Sequence, residues 1–147
     1  VYVPAFFKPR YDDCGFQTLE PQNPDYTHVN RTIVADLDQV PFPKKPIIPF
    51  GKPVHDRLRL EVARGCTRGC RFCQAGMIYR PVRERSPDSL LALCDQSVRA
   101  TGYEDIYLLS LSTGDYGCIV PLMSRLMSGC GAENVAVFYR LRVSVAP

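Results

Sequence analysis

Nine of the chain's 13 prolines stand at positions 4, 9, 21, 24, 41, 43, 46, 49 and 53, all within the first 57 of its 147 residues. Each removes a backbone donor and restrains φ, so long helices and central strands are excluded from most of residues 1–57, which are expected to be extended. The densest stretch, PFPKKPIIPFGKP (41–53), reads as a stiff connector laid over a neighbouring part rather than a free linker. RTIVADL (31–37) is the place in it for a short strand. The chain is thus read as a proline-rich run-in over 1–57 followed by a regular part over 58–147, with no internal repeat.

From residue 58 the pattern changes. LRLEVAR (58–64) alternates Leu58, Leu60 and Val62 with Arg59 and Glu61, the two-residue period of a strand. Ser86 before Pro87 is a helix cap followed by the residue best tolerated in a first turn. Leu90, Leu91, Cys94 and Val98 then recur at helical spacing, and Gly102 supplies a stop. DIYLLSLS (105–112) reads as a buried strand, and GDYG (114–117) as a turn. A second helix is expected to carry Ile119, Leu122, Met123, Leu126 and Met127 on one face, with Pro121 in its first turn and Gly129 and Gly131 at its end. NVAVFYRLRV (134–143) reads as a third strand. Strand, helix, strand, helix, strand is the pattern of parallel βαβ units with right-handed crossovers, in which reactive loops leave the carboxyl ends of strands.

At one such end lies GCTRGCRFCQAG (65–76), with Cys66, Cys70 and Cys73 inside eight positions. Seven cysteines, an odd number at irregular spacing, suit a metal better than a disulfide framework and point to a reducing compartment. No apolar run approaches the roughly 18–20 residues that span a bilayer, and VYVPAFFKPR lacks the order of a signal peptide, so a soluble cytoplasmic protein is expected. The chain begins at Val1 rather than Met and stops at Pro147 just after a strand-like run, which suggests a fragment. A structural zinc site or an electron-transfer cluster wants four ligands. Three thiolates on a four-iron cube leave one iron open to a substrate or cofactor, as in open catalytic metal sites.

The spacing Cys66-x3-Cys70-x2-Cys73, with Phe72 just before the last cysteine and a strand just before the loop, resembles the radical S-adenosylmethionine (SAM) enzymes. The resemblance runs over about residues 58–143. Within it, RGCTRGCRFCQAGMIYRPVRERSP (64–87) is similar to an uncharacterised group whose members often carry a cobalamin-binding-type domain ahead of the barrel, a domain not visible in this chain. The resemblance implies an α/β fold, the first half of a partial (β/α)6 barrel preceded by the irregular proline-rich segment. It implies that Cys66, Cys70 and Cys73 hold a [4Fe-4S] cluster whose fourth iron takes the amino and carboxylate groups of SAM. An electron from a donor such as a flavodoxin or ferredoxin would then cleave SAM to methionine and a 5′-deoxyadenosyl radical, which abstracts hydrogen from a substrate. Phe72 would pack near the adenine. Where the family places a Gly-Gly-Glu-like turn, this chain has Thr113-Gly114-Asp115. There Gly114 would let the backbone approach SAM and Asp115 would accept from its ammonium.

Other readings stand beside this one. Cys118 follows the second strand on the side where the cluster should lie, so a closed iron–sulfur or zinc module is the rival, while Cys94 reads as core and Cys14 and Cys130 as incidental. Residues 57–86 hold eight arginines against Glu61 and Glu84, a local excess of six positive charges. Arginines 64, 68, 71, 80, 83 and 85 therefore surround the loop, either to contact an anionic substrate such as transfer RNA or to offset thiolates and bind neighbouring carboxylates. The second use is the one favoured. Met77 is read as pocket lining or core; Tyr79, Tyr107 and Tyr139 as strand residues; His28 and His55 as isolated, His55 at the surface.

Overall fold

A computed structural model describes residues 2–51, 53–130 and 136–139, and the chain parts into two units, 1–34 and 35–147. In the first unit, β1 (Phe7–Tyr11) and β2 (Gln17–Pro21) pair antiparallel from Phe7↔Pro21 to Tyr11↔Gln17. The turn between them is built by Asp12, whose carboxylate accepts from the N–H groups of Cys14 and Phe16, and by Gly15 at φ 81°. Pro9 and Pro21 are accommodated because the sheet has only these two strands, so each has an edge with no ladder to satisfy. Phe6 and Phe7 pack edge-on against Tyr26. RTIVADL forms no strand, and no described residue pairs with it in a ladder.

The second unit is mixed α/β. β3 (Leu58–Glu61), β6 (Asp105–Leu109) and β7 (Ala136–Tyr139) form a parallel sheet in the order β3-β6-β7. Two short strands, β4 (Ala63–Arg64) and β5 (Arg83–Glu84), make a separate antiparallel ladder. The expected strand over 58–64 is therefore divided at Val62, where the chain leaves one partner for another. Helix α2 (Pro87–Thr101) starts at Ser86, whose Oγ accepts from the Ser89 N–H, and ends at Gly102 in the left-handed region, whose N–H reaches the Val98 carbonyl at 2.7 Å. Helix α3 (Ile119–Cys130) follows β6. Gly129 lies inside α3 rather than beyond it. Gly131 and most of the expected third strand fall outside the described residues.

The core lies between sheet and helices. Leu58, Leu60, Ile106 and Leu108 face Leu90, Leu93, Cys94 and Val98 of α2 and Leu122 and Leu126 of α3. The i, i+3, i+4, i+8 spacing of 90, 93, 94 and 98 centres the α2 stripe between Leu90 and Cys94, leaving Leu91 half-buried at its margin. Met127 sits about 100° round the helix from Leu126 and is 66% exposed, so it does not belong to the packed face. Phe42, from the proline-rich stretch, packs against this core, as a connector laid over a neighbour should. No helix among the described residues is long and apolar enough to cross a membrane.

Leu60 is fully buried, so Leu60→Ala is expected to lower unfolding free energy by about 2–5 kcal/mol. Met127→Ala should change it by less than about 0.5 kcal/mol. Urea titration of both variants checks the assignment of the α3 face.

Candidate functional site

The register of β3 against β6, from Leu58↔Ile106 to Glu61↔Leu109, brings the carboxyl ends of both strands level. Two loops leave there side by side. The first begins where the Val62 N–H donates to the Leu109 carbonyl and the Val62 carbonyl accepts from Arg85, which pins both feet of the loop to the sheet. The β4·β5 ladder continues the closure, Ala63 opposite Glu84 and Arg64 opposite Arg83. Residues 65–82, including all three candidate ligands, are thus held as one clasped loop.

Gly65 makes the clasp possible. It has φ 89°, and a Cβ there would lie 2.6 Å from the Tyr79 carbonyl oxygen and 2.8 Å from that of Pro81. Only glycine admits both the conformation and the approach. Cys66 follows it inward, 4% exposed, near the buried Gly76 of the short helix α1 (Ala75–Ile78). Cys70 and Cys73 are half-buried on one tight turn, where the Cys73 N–H donates to the Cys70 carbonyl at 3.0 Å. Among the described residues no three His, Cys, Asp or Glu side chains are gathered into a metal-holding group, so Cys118 does not join the loop cysteines in one. Cys14, Cys66, Cys70, Cys73, Cys94 and Cys118 form no disulfide, and Cys94 is buried as expected of a core residue. Phe72 stands 86% exposed on the same turn, and Met77, at 54%, is not core. Tyr79 caps α1 instead of lying on a strand.

The second loop is the turn over Thr113–Asp115. Its three expected site residues have different surroundings. Thr113 is fully buried and its hydroxyl is engaged with Ser110 Oγ and the Leu108 carbonyl, so the side chain braces the turn. Gly114 is exposed, without the positive φ found at Gly65 and Gly69. Asp115 reaches back to the cysteine loop: Arg68 Nε donates to its Oδ2 at 2.7 Å, Arg68 Nη2 to its Oδ1, and Ser112 Oγ also to Oδ2. The Arg68 bond holds the Asp115 carboxyl below its usual range, against the upward push of burial. Arg68 also lies within electrostatic reach of Cys66 and Cys70, whose negative forms favour its charge. Arg68 therefore links thiols and carboxylate, a role nothing in its local sequence signals because 47 residues separate the pair.

Two further ties went unread in the sequence. Glu84 accepts from the Gly117 N–H at 2.9 Å, and Tyr116, buried, donates its hydroxyl to the Arg85 carbonyl at 2.8 Å. Burial first, then the nearby Cys118, Glu84 and Asp38, push the Tyr116 phenol upward, so it stays a donor. Gly65, Cys66, Thr67, Ser112 and Asp115 help line a cleft of about 70 Å³ between the loops. Of the arginines, Arg64 makes a two-bond pair with Glu61 at 2.7 and 2.8 Å and Arg83 donates to the Pro81 and Tyr79 carbonyls. Those contacts, with that of Arg68, are internal to the chain, the use favoured from the sequence. His55 is exposed.

No family model and no solved structure matches the chain. Its sequence is 43% identical over 67 residues to an uncharacterised protein of Methanocaldococcus jannaschii, covering 46% of this chain and 15% of that protein. It is 34% identical over 79 residues to the ribosomal protein uS12 methylthiotransferase RimO of Trichormus variabilis and, with the same figures, to that of a Nostoc species. Those matches cover 52% of this chain and 18% of each enzyme. The chain therefore spans less than a fifth of the length of the relatives it matches.

Asp115 sets a pH test. A carboxyl depressed in the folded state contributes stability that is present above the unfolded value of about 4 and is lost as pH falls through the folded value. The pair is partly exposed, with side chains 43% and 21% accessible, so its contribution should be only about 1 kcal/mol. Unfolding free energy of the wild type should fall between about pH 5 and pH 2 more steeply than that of Asp115→Asn. Parallel curves would mean that the pair does not form.

Proposed function

We propose that this chain carries part of a radical SAM active site, on the first strands of a partial (β/α)6 barrel, with Cys66, Cys70 and Cys73 as the ligands of a [4Fe-4S] cluster. The carrying observation is the donor set: three cysteines outside any disulfide on one loop, clasped at its base by β4 and β5 and lying at the carboxyl end of β3. That chemistry fits a cube that leaves one iron to a small chelating molecule. The thiols are not drawn together as the loop stands, so binding would gather them, as metal binding commonly orders its own site. When bound, the cluster would supply the electron for cleavage of the SAM sulfonium bond. The relatives named as methylthiotransferases give separate support, since a methyl group on sulfur is the unit SAM carries.

The residues of the chain would bind and orient. Asp115 is the acceptor for the SAM ammonium, but it is already occupied by Arg68, so the two cations exchange at one carboxylate. The cleft of about 70 Å³ is far below the roughly 300 Å³ at which small-molecule sites begin. Admission of a nucleoside-sized ligand therefore requires the Arg68–Asp115 pair to open or the loop to shift. Exposed Phe72 is then free to cover the adenine. The electron would come from a separate donor such as a flavodoxin or ferredoxin.

Anaerobic reconstitution with iron and sulfide should load close to four irons per chain. Substituting alanine at Cys66, Cys70 or Cys73 should abolish loading, whereas Cys118→Ala should keep it. After reduction with SAM present, chromatography should find 5′-deoxyadenosine, even if slowly made. Loading that depends equally on Cys118 would instead favour a closed electron-transfer or structural module.

A further inference from the structure

Three arginines in the second unit expose the contrast that matters. Arg64 and Arg68 each use one edge of the guanidinium, Nε with Nη2, to hold both oxygens of a carboxylate. Arg85 is 2% exposed, and among the described residues its Nε and Nη2 have no hydrogen-bond partner. A guanidinium stays charged at any ordinary pH, and a buried one without partners is costly. Its backbone is tied down by Val62 and Tyr116, so the side chain is placed by the fold rather than by chance.

Arg85 forms part of the wall of a cleft of about 330 Å³ between the 38–44 segment and α2. The volume lies within the range of small-molecule sites, which starts at roughly 300 Å³. Lys44 adds a second positive charge, Phe42 and Leu93 an apolar side, and Gln96 an amide. The one carboxylate there, Asp38, is spent elsewhere: its Oδ1 accepts from the Ser86 N–H at 3.0 Å. Burial raises the Asp38 carboxyl, but Ser86, Ser89 and the charge of Arg85 outweigh it and keep it ionised. Two cations against one anion leave a single positive charge.

We infer that this cleft is a binding site for a singly charged oxyanion with an apolar body, a carboxylate or a phosphodiester, taken side-on by Nε and Nη2 of Arg85 and assisted by Lys44. The site is separate from the cysteine loop and does not depend on the cluster.

The test uses the full chain in anion-poor buffer, titrated with benzoate and with dimethyl phosphate against chloride at matched ionic strength, following thermal unfolding and amide chemical shifts. A saturable rise in Tm beyond chloride, with shifts at 38–44 and 85–96, is expected for at least one probe. Benzoate as the stronger identifies a carboxylate ligand, and dimethyl phosphate as the stronger a phosphodiester. Arg85→Met should erase the response with only a small change of Tm in anion-poor buffer, since Nε and Nη2 make no hydrogen bond among the described residues for the substitution to break. Lys44→Ala, at an exposed position, should weaken binding several-fold without changing the fold, and decides the matter if Arg85→Met does not fold. Absence of any saturable response, or binding that Lys44→Ala leaves undiminished, overturns the proposal.

Discussion

The parallel register of Leu58–Glu61 against Ile106–Leu109 is the constraint on which the candidate site depends. It brings two chain exits to the same end of the sheet, and every polar tie between the loops is possible only because those exits are level. A one-residue slip of β3 would turn Leu58 and Leu60 away from the helices, and a slip of β6 would turn Ile106 and Leu108, so the hydrophobic core itself enforces the alignment. Packing of apolar side chains thus sets where Cys66 and Asp115 stand.

Above the sheet, weaker interactions complete the arrangement. The β4·β5 ladder and Gly65 close the cysteine loop, Glu84 binds the turn after Asp115, and Arg68 spans the gap between the loops. The bonds of Arg68 and Glu84 are exposed and individually small, whereas Gly65 and Ala63 are buried at the base of the loop. The Arg68–Asp115 pair keeps a carboxylate ionised and oriented between the two loops. Arg85 differs in kind: it is buried, held by its backbone, and lacks a carboxylate for the guanidinium edge that Arg64 and Arg68 both fill.

The regular half of the chain was legible wherever a local rule sufficed. Ser86, Pro87 and Gly102 bound α2 as their side chains and φ preferences require, and alternation located β3. Legibility failed where a partner distant in sequence decides the outcome. Val62 still donates to Leu109 of β6, but its carbonyl is taken by the Arg85 N–H, which turns the chain to a new partner, and no pattern within 58–64 carries that information. The β1–β2 hairpin went unread because its strands are almost wholly exposed and show no alternation, although Asp12 and Gly15 are a readable turn signal. In the Thr113-Gly114-Asp115 turn only the acid reaches the cysteine loop; Thr113 is spent on bracing the strand end. The three-cysteine spacing suggests a metal, but spacing says nothing about whether the thiols converge, and among the described residues they are not gathered into a metal-holding group.

The decisive measurement is Mössbauer spectroscopy of the chain reconstituted with 57Fe, recorded before and after SAM is added. A four-iron cube with one iron distinct from the other three, and that iron alone changing on addition of SAM, is the expected result. Four irons that remain indifferent to SAM, or a protein that takes up zinc and no iron, would contradict it.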